Sequence, residues 1–375
     1  MFTVHENAVF STILALIGCL ILAMGTCGTL LWVIYLVSWR ISRSPNMNRV
    51  CAPSSTTTAT GGINLTVSKW PVCSMRLSTQ IYMLNLTISD LVGLWSDGFR
   101  IMYLLFTCVD VRLIGGEISC RIQLLLSYIS ADLSSWIFAC LCVERFYIML
   151  YPTCKYSLNR LYLRTAYMYL GIIYVAVFAA NCYIVIPTED ICSDAYANFA
   201  ITVFKQVFTR LAAPAVVLSS LIGMTVILAK QARSHHSDVR TARRAGNALV
   251  PPSPWKTEAF FSAKMMLISG IVFFVSSAVV LMNVLMNSSY AGLYTTRSCD
   301  SSGDYINNAV ILVYWFAIYF RAYVFMLSSP LTRKNIWAIL LILLSPLNRV
   351  LNAFFGCGGD GDGNPKGKSA ENSTI

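Results

Sequence analysis

The sequence predicts an all-α membrane protein: a bundle of seven transmembrane helices, N-terminus outside, followed by a short interfacial eighth helix. Three observations carry that prediction. Of the 375 residues, 56 % are apolar and only 12 % are charged, about half the roughly 25 % charge of a soluble domain. The apolar residues fall into seven long runs, at 8–38, 79–107, 118–149, 166–187, 199–229, 264–287 and 307–329. The basic residues collect between alternate runs, as they do in the inner connections of membrane proteins.

Each run is long enough to cross roughly 30 Å of hydrocarbon as a helix. Backbone polar groups in lipid must be satisfied within the segment, so these runs are read as helices. The alternating pattern of a membrane β-barrel is absent. The first ten residues hold no basic cluster and the first run exceeds a signal-peptide core, so 8–38 is read as a span. Residues 1–7 then form a short outer tail, 8–329 the bundle and 330–375 an inner tail.

Charge sets the orientation. With the N-terminus outside, 21 of the 28 Lys and Arg lie on the inner side, among them Arg40, Arg43, Arg145, Lys155, Lys230, Arg243, Arg244, Arg333 and Lys334. The opposite orientation inverts the ratio. The same distribution argues against nucleic acid as the partner of a chain with net charge +11, because the charge forms no single patch. The outer connections hold Glu6, Asp110, Glu117, Glu189, Asp190, Asp194, Asp300 and Asp304. An acidic mouth would attract a basic ligand; simple exclusion of basic residues from the outer side gives the same pattern.

Between the first two runs lies a long insertion, 42–76. It is Ser/Thr-rich at 54–60, contains Gly61-Gly62, and reads as disordered. It carries Cys51, Cys73 and a sequon at Asn64, read as unused on the inner side. The connection 230–263 is basic and punctuated by Pro251-Pro252-Ser253-Pro254. The stretch 330–355 mixes apolar residues with few charges, as an interfacial helix does. The tail beyond it is rich in Gly, Asp and Asn. Cys357 there is a candidate for palmitoylation or a free thiol, and Asn287-Ser288-Ser289 is an outer sequon.

Function is carried first by Cys120, Glu144-Arg145-Phe146 and Tyr151-Pro152. Cys120 opens the third run and Arg145 follows 25 residues later, one membrane thickness along a helix. An Arg at that depth needs a partner, and Glu144 is adjacent; a snorkelling interfacial anchor is the simpler alternative. This pattern resembles rhodopsin-like G-protein-coupled receptors, whose third helix starts with a Cys, ends in Asp/Glu-Arg-aromatic and has a Pro seven residues after the Arg. The resemblance implies a disulfide from Cys120 to Cys192, G-protein coupling through Glu144, Arg145, Phe146 and Tyr323, and a heterotrimeric G protein as partner.

Other runs extend the resemblance. Asn85-Leu86-Thr87-Ile88-Ser89-Asp90-Leu91 is similar to the family's second-helix motif, whose Asp coordinates a sodium ion. Pro214 is similar to the helix-distorting Pro of the fifth helix. Tyr323, followed by Val-Phe-Met-Leu-Ser-Ser-Pro, resembles the end of the seventh-helix motif. Departures are equally visible. Thr29 and Tyr319 stand where Asn is usual, so the sodium network around Asp90 is incomplete. The sixth run, Met265 to Met286, has neither Pro nor Trp. Arg321 brings a cation into the bundle, with Asp90 or Asp132 as its counter-charge. Such losses, with Tyr82-Met83-Leu84-Asn85-Leu86, resemble herpesvirus-encoded homologues of chemokine receptors. That resemblance implies a plasma-membrane protein, that of the host cell if viral, with a chemokine or basic peptide as ligand and high basal activity. Ser127, where amine receptors carry Asp, argues against an aminergic ligand.

Three other classes stand beside the receptor. A non-signalling seven-helix protein that forms heteromers with receptors fits the missing sixth-helix Pro. A transporter would show inverted repeats or broken helices. An enzyme is not expected, since the three His lie outside the runs.

Overall fold

In the computed structural model, the described residues are 4–42, 77–150, 158–184, 208–244, 254–286, 302–327 and 332–341. Among them every regular element is helical. The first helix, α1 (Val4–Ser42), covers the first run. The second run is built in three pieces: α2 (Leu77–Gly93), a π-turn (Leu94–Gly98) and α3 (Phe99–Thr107). Gly93 and Gly98 keep right-handed helical dihedrals on either side of the wide turn, so the rod is continuous. Cys108, in the left-handed region at φ 53°, ends it by donating its N–H to the Leu104 carbonyl at 2.8 Å. A short α4 (Val111–Ile114) leads into α5 (Gly116–Leu150), the third run.

The remaining elements are α6 (Leu158–Asn181) with a 3-10 turn (Cys182–Ile184), a π-turn (Phe208–Ala212) running into α7 (Ala213–Arg244), α8 (Pro254–Met286) and α9 (Ser302–Leu327). Residues 332–341 form a last helix, α10, which buries Thr332, Asn335 and Ile336 and exposes Arg333, Lys334 and Trp337. The π-turn before α7 has a cause in the sequence. Pro214 has no N–H to offer the preceding turn, and a widened turn accommodates the lost bond.

The expected connection 230–263 is shorter in the structure. Helix α7 continues to Arg244 and α8 begins at Pro254. Polarity suggested a loop there, but Ala, Gln, Lys and Arg are good helix formers and extend the rod beyond the apolar stretch. The insertion 43–76, Tyr151-Pro152, Cys192, Asn287 and Cys357 lie outside the described residues.

Among the described residues, six helices are long and apolar enough to cross a membrane: Val9–Ser38, Gly116–Leu150, Leu163–Asn181, Ala213–Lys230, Ala263–Met282 and Asn308–Leu327. The second run is not among them, because the π-turn leaves α2 only 17 residues long. The apolar stretches of α5 and α9 are each 67 % buried, against 28 % for α1 and 17 % for α6. Helices α5 and α9 are therefore the interior pillars. Helix α2 packs on α5, α1 on α9, α7 on α5 and α8, and α8 on α9. The outward faces carry Leu20, Val175, Phe178, Val226 and Met282, all well exposed. An apolar exterior around an apolar core threaded by buried polar groups fits hydrocarbon as solvent.

Close crossings depend on missing side chains. A Cβ at Gly93 would overlap the Trp315 ring and crowd Ser130 Oγ, so α2, α5 and α9 meet only because this residue is Gly. A Cβ at Gly223 would overlap Phe146, so α7 carries a notch for the aromatic residue of Glu144-Arg145-Phe146.

Candidate functional site

Three polar sites lie along the α2–α5 seam. The middle one is centred on Asp90, one turn before the π-turn and 4 % exposed. Arg321, on α9 and 1 % exposed, donates from Nη2 to Asp90 Oδ1 at 2.9 Å and to Ser134 Oγ at 2.5 Å. Ser134 in turn donates to Asp90 Oδ1 at 2.6 Å. The Arg321 Nε–H caps the Ile318 carbonyl at 3.2 Å. The guanidinium carbon sits 4.8 Å from the Phe138 ring centre and 5.4 Å from that of Phe273. Of the two expected counter-charges for Arg321, the structure selects Asp90. Asp132 instead accepts from Asn181 Nδ2 at 3.0 Å, tying α5 to α6. Asn85 also turns toward α6: its Oδ1 accepts from the Tyr174 hydroxyl at 3.0 Å, while its Nδ2 donates to the Ile81 carbonyl.

The second site is the last two turns of α5. Glu144, Arg145 and Phe146 are all half-buried. The Glu144 carboxylate accepts from Ser78 Oγ and, at 2.9 Å, from Thr79 Oγ1. Glu144 therefore ties the end of α5 across to α2. Phe146 occupies the Gly223 notch. Tyr323, expected to share this site, donates its hydroxyl to the Met24 carbonyl at 2.6 Å and packs on Gly28. It thus fastens α9 to α1.

The third site was missed by sequence reasoning. Asp97, in the π-turn, and Arg100, one turn on, face Asp110 and Arg112 around the α3–α4 corner. All four are buried. Arg100 donates to both Asp110 oxygens, from Nε at 3.1 Å and from Nη2 at 2.8 Å. Arg112 adds its side chain at 2.6 and 2.9 Å and its backbone N–H at 3.0 Å. Asp97 lies 3.6 Å from Arg100 and accepts the Trp315 indole N–H at 2.7 Å. Burial alone would raise the Asp110 carboxyl, but the Arg100 and Arg112 charges and their hydrogen bonds hold it well below the usual carboxylate range. Burial, then the charge of Arg100, lowers Arg112, with Asp110 opposing. Two carboxylates and two guanidiniums at close spacing in the sequence were the available signal.

Of the acidic residues expected at the outer mouth, Asp110 is turned inward. Asp110 is fully buried and doubly paired, and Glu117 pairs with Arg121. Asp110 therefore presents no open charge, whereas the Glu117 side chain stays 63 % exposed beside Arg121.

Cys120 is buried at the start of α5, and both it and Cys108 are disulfide-bonded. Cys192, the expected partner of Cys120, is outside the described residues. Cys19, Cys27, Cys140, Cys142 and Cys182 are free thiols. Among the described residues no group of three His, Cys, Asp or Glu could hold a metal ion.

Compared with protein-family models and with curated proteins, the chain matches none. Fold and site together define a multi-pass helical membrane protein with a charged interior.

Proposed function

We propose that the chain is a divergent rhodopsin-like receptor: seven spans with the N-terminus outside, α10 lying along the inner interface, and signalling to a heterotrimeric G protein. The observation that carries the reading is the inner end of α5. Glu144 is held by two hydroxyls of α2, and beside it half-buried Arg145 lies near the terminus of the buried central helix, 25 residues from a disulfide-bonded Cys120. When α2 and α5 part, that terminus opens to a partner protein. Under this reading Cys120 bridges to Cys192, Asn287 is a glycosylation candidate and Cys357 a palmitoylation candidate. The protein resides in the plasma membrane, a host membrane if the chain is viral, and takes a chemokine-like or basic peptide ligand.

A second reading has its own observation. Helix α8 runs uninterrupted from Pro254 to Met286, with no internal Pro to pivot on. A seven-helix protein that binds other receptors without signalling needs no such pivot.

A G-protein dissociation assay in cells, with and without a chemokine panel, separates the two. The receptor reading expects activation that falls at least tenfold in Arg145→Ala at equal surface expression. Absence of activation, with co-precipitation of other receptors, establishes the second reading instead.

A further inference from the structure

We propose that Arg321 is a tethered cation that permanently occupies the counter-ion position of Asp90, excludes a free monovalent cation from it, and latches four helices together. The inference rests on the middle site alone and not on the receptor reading. A buried carboxylate inside a bundle requires compensation, from a bound ion or from the chain itself. Here the chain provides it. Arg321 comes from α9, Asp90 from α2, Ser134 and Phe138 from α5, and Phe273 from α8. One side chain therefore touches four helices.

The oxygen donors that a sodium ion would need are committed elsewhere. Ser134 Oγ accepts from Arg321 and donates to Asp90, closing a three-membered polar ring. Thr29 turns its hydroxyl back onto the Gly25 carbonyl of its own helix at 2.7 Å. Asn85 faces α6. A sodium ion at Asp90 would also sit beside the guanidinium and be repelled by it. The residues present do not fit the ion.

The aromatic pair explains why the cation stays. Arg321 Nη1 is buried and makes no hydrogen bond among the described residues. Two ring faces take the place of that bond, and a desolvated guanidinium over aromatic rings is where such attraction is strongest. Lys could not reproduce this set of contacts. It lacks the planar group whose Nη2 reaches Asp90 and Ser134 while Nε caps the Ile318 carbonyl and the central carbon lies over two rings.

The test uses the full chain in lipid nanodiscs, with thermal unfolding followed in sodium chloride and in choline chloride at equal ionic strength. The wild-type chain is expected to give the same Tm in both. Arg321→Ala is expected to unfold at least 5 °C lower in choline and to recover part of that loss in sodium. The recovery should be absent in Asp90→Asn/Arg321→Ala. A sodium-specific, saturable rise in wild-type Tm that Asp90→Asn removes would overturn the proposal. So would an Arg321→Ala protein that folds but gains nothing from sodium. If Arg321→Ala does not fold, the isosteric pair Asp90→Leu/Arg321→Met decides. Its recovery of folded protein supports a latch of opposite charges, and its failure alongside a folded Asp90→Leu single variant overturns it.

Discussion

Two buried ion-pair sites lie along the same rod, little more than two turns apart, and they solve different problems. At Asp90 one carboxylate meets one guanidinium from a residue 231 positions away. At Asp110 the partners are 10 and 2 positions away. The distant pair closes the bundle, because its formation requires α2, α5, α8 and α9 to be in place at once. The local cluster shapes only one corner, where α3 turns into α4. Loop closure grows only slowly with separation, so what the two aromatic rings offset at the distant pair is chiefly the burial of its guanidinium. Local pairs form with the turn that contains them.

The largest expected effect is from breaking the distant pair. Arg321→Met leaves Asp90 as a lone buried charge and should destabilise the protein by about 4 kcal/mol, read as a fall in Tm in nanodiscs. If the loss is no larger than that from Asp110→Asn, the distinction between bundle latch and corner staple fails.

Asp110→Asn should cost less, about 3 kcal/mol, since Arg100 and Arg112 at the rod end can relax toward water. The acid response sharpens this. The folded Asp110 carboxyl titrates below its unfolded value, near 3.9. Its contribution is therefore fully present above about pH 4 and is lost as pH falls through the lower folded value. Wild-type Tm should show this loss only in strong acid, and Asp110→Asn should flatten that limb. An unchanged acid limb in the variant would show that Asp110 is not the group responsible.

The smallest effect is expected for Trp315→Phe. It removes the indole N–H that Asp97 accepts and should cost about 1–2 kcal/mol. Because Trp315 reaches from α9 to the corner cluster, a double-mutant cycle with Asp110→Asn measures how far the corner is coupled to the bundle. Additivity within about 0.5 kcal/mol makes them independent.

The helical, membrane-crossing class was legible in the sequence because apolar runs answer directly to the solvent. Arg321 was legible as a cation needing a carboxylate. Its choice of Asp90 was not, because that depended on Asn181 occupying Asp132 across a third helix. The corner cluster was hidden for a related reason. Asp110 read as surface charge, since polarity in a connection signals water unless a partner is known to be folded over it. The π-turn at Leu94–Gly98 has flanking glycines but no periodicity of its own. The extension of α7 was lost because polarity was weighed above helix propensity. The described contacts of Tyr323, on α1 rather than at Glu144-Arg145-Phe146, depend on the notch at Gly28, which spacing in the sequence cannot reveal.

That extension of α7 has a mechanical meaning. The apolar stretch ends at Lys230, and the helix continues to Arg244. At 1.5 Å per residue it projects about 21 Å as a rod. A tilt of about 10° at its base would sweep the tip through roughly 4 Å, by the geometry of a rod of that length. Movements too small to disturb packing around Gly223 would thus reappear, magnified, at a basic tip far from the bundle. The helix has the geometry of a lever arm whose fulcrum lies where its apolar stretch ends, at Lys230.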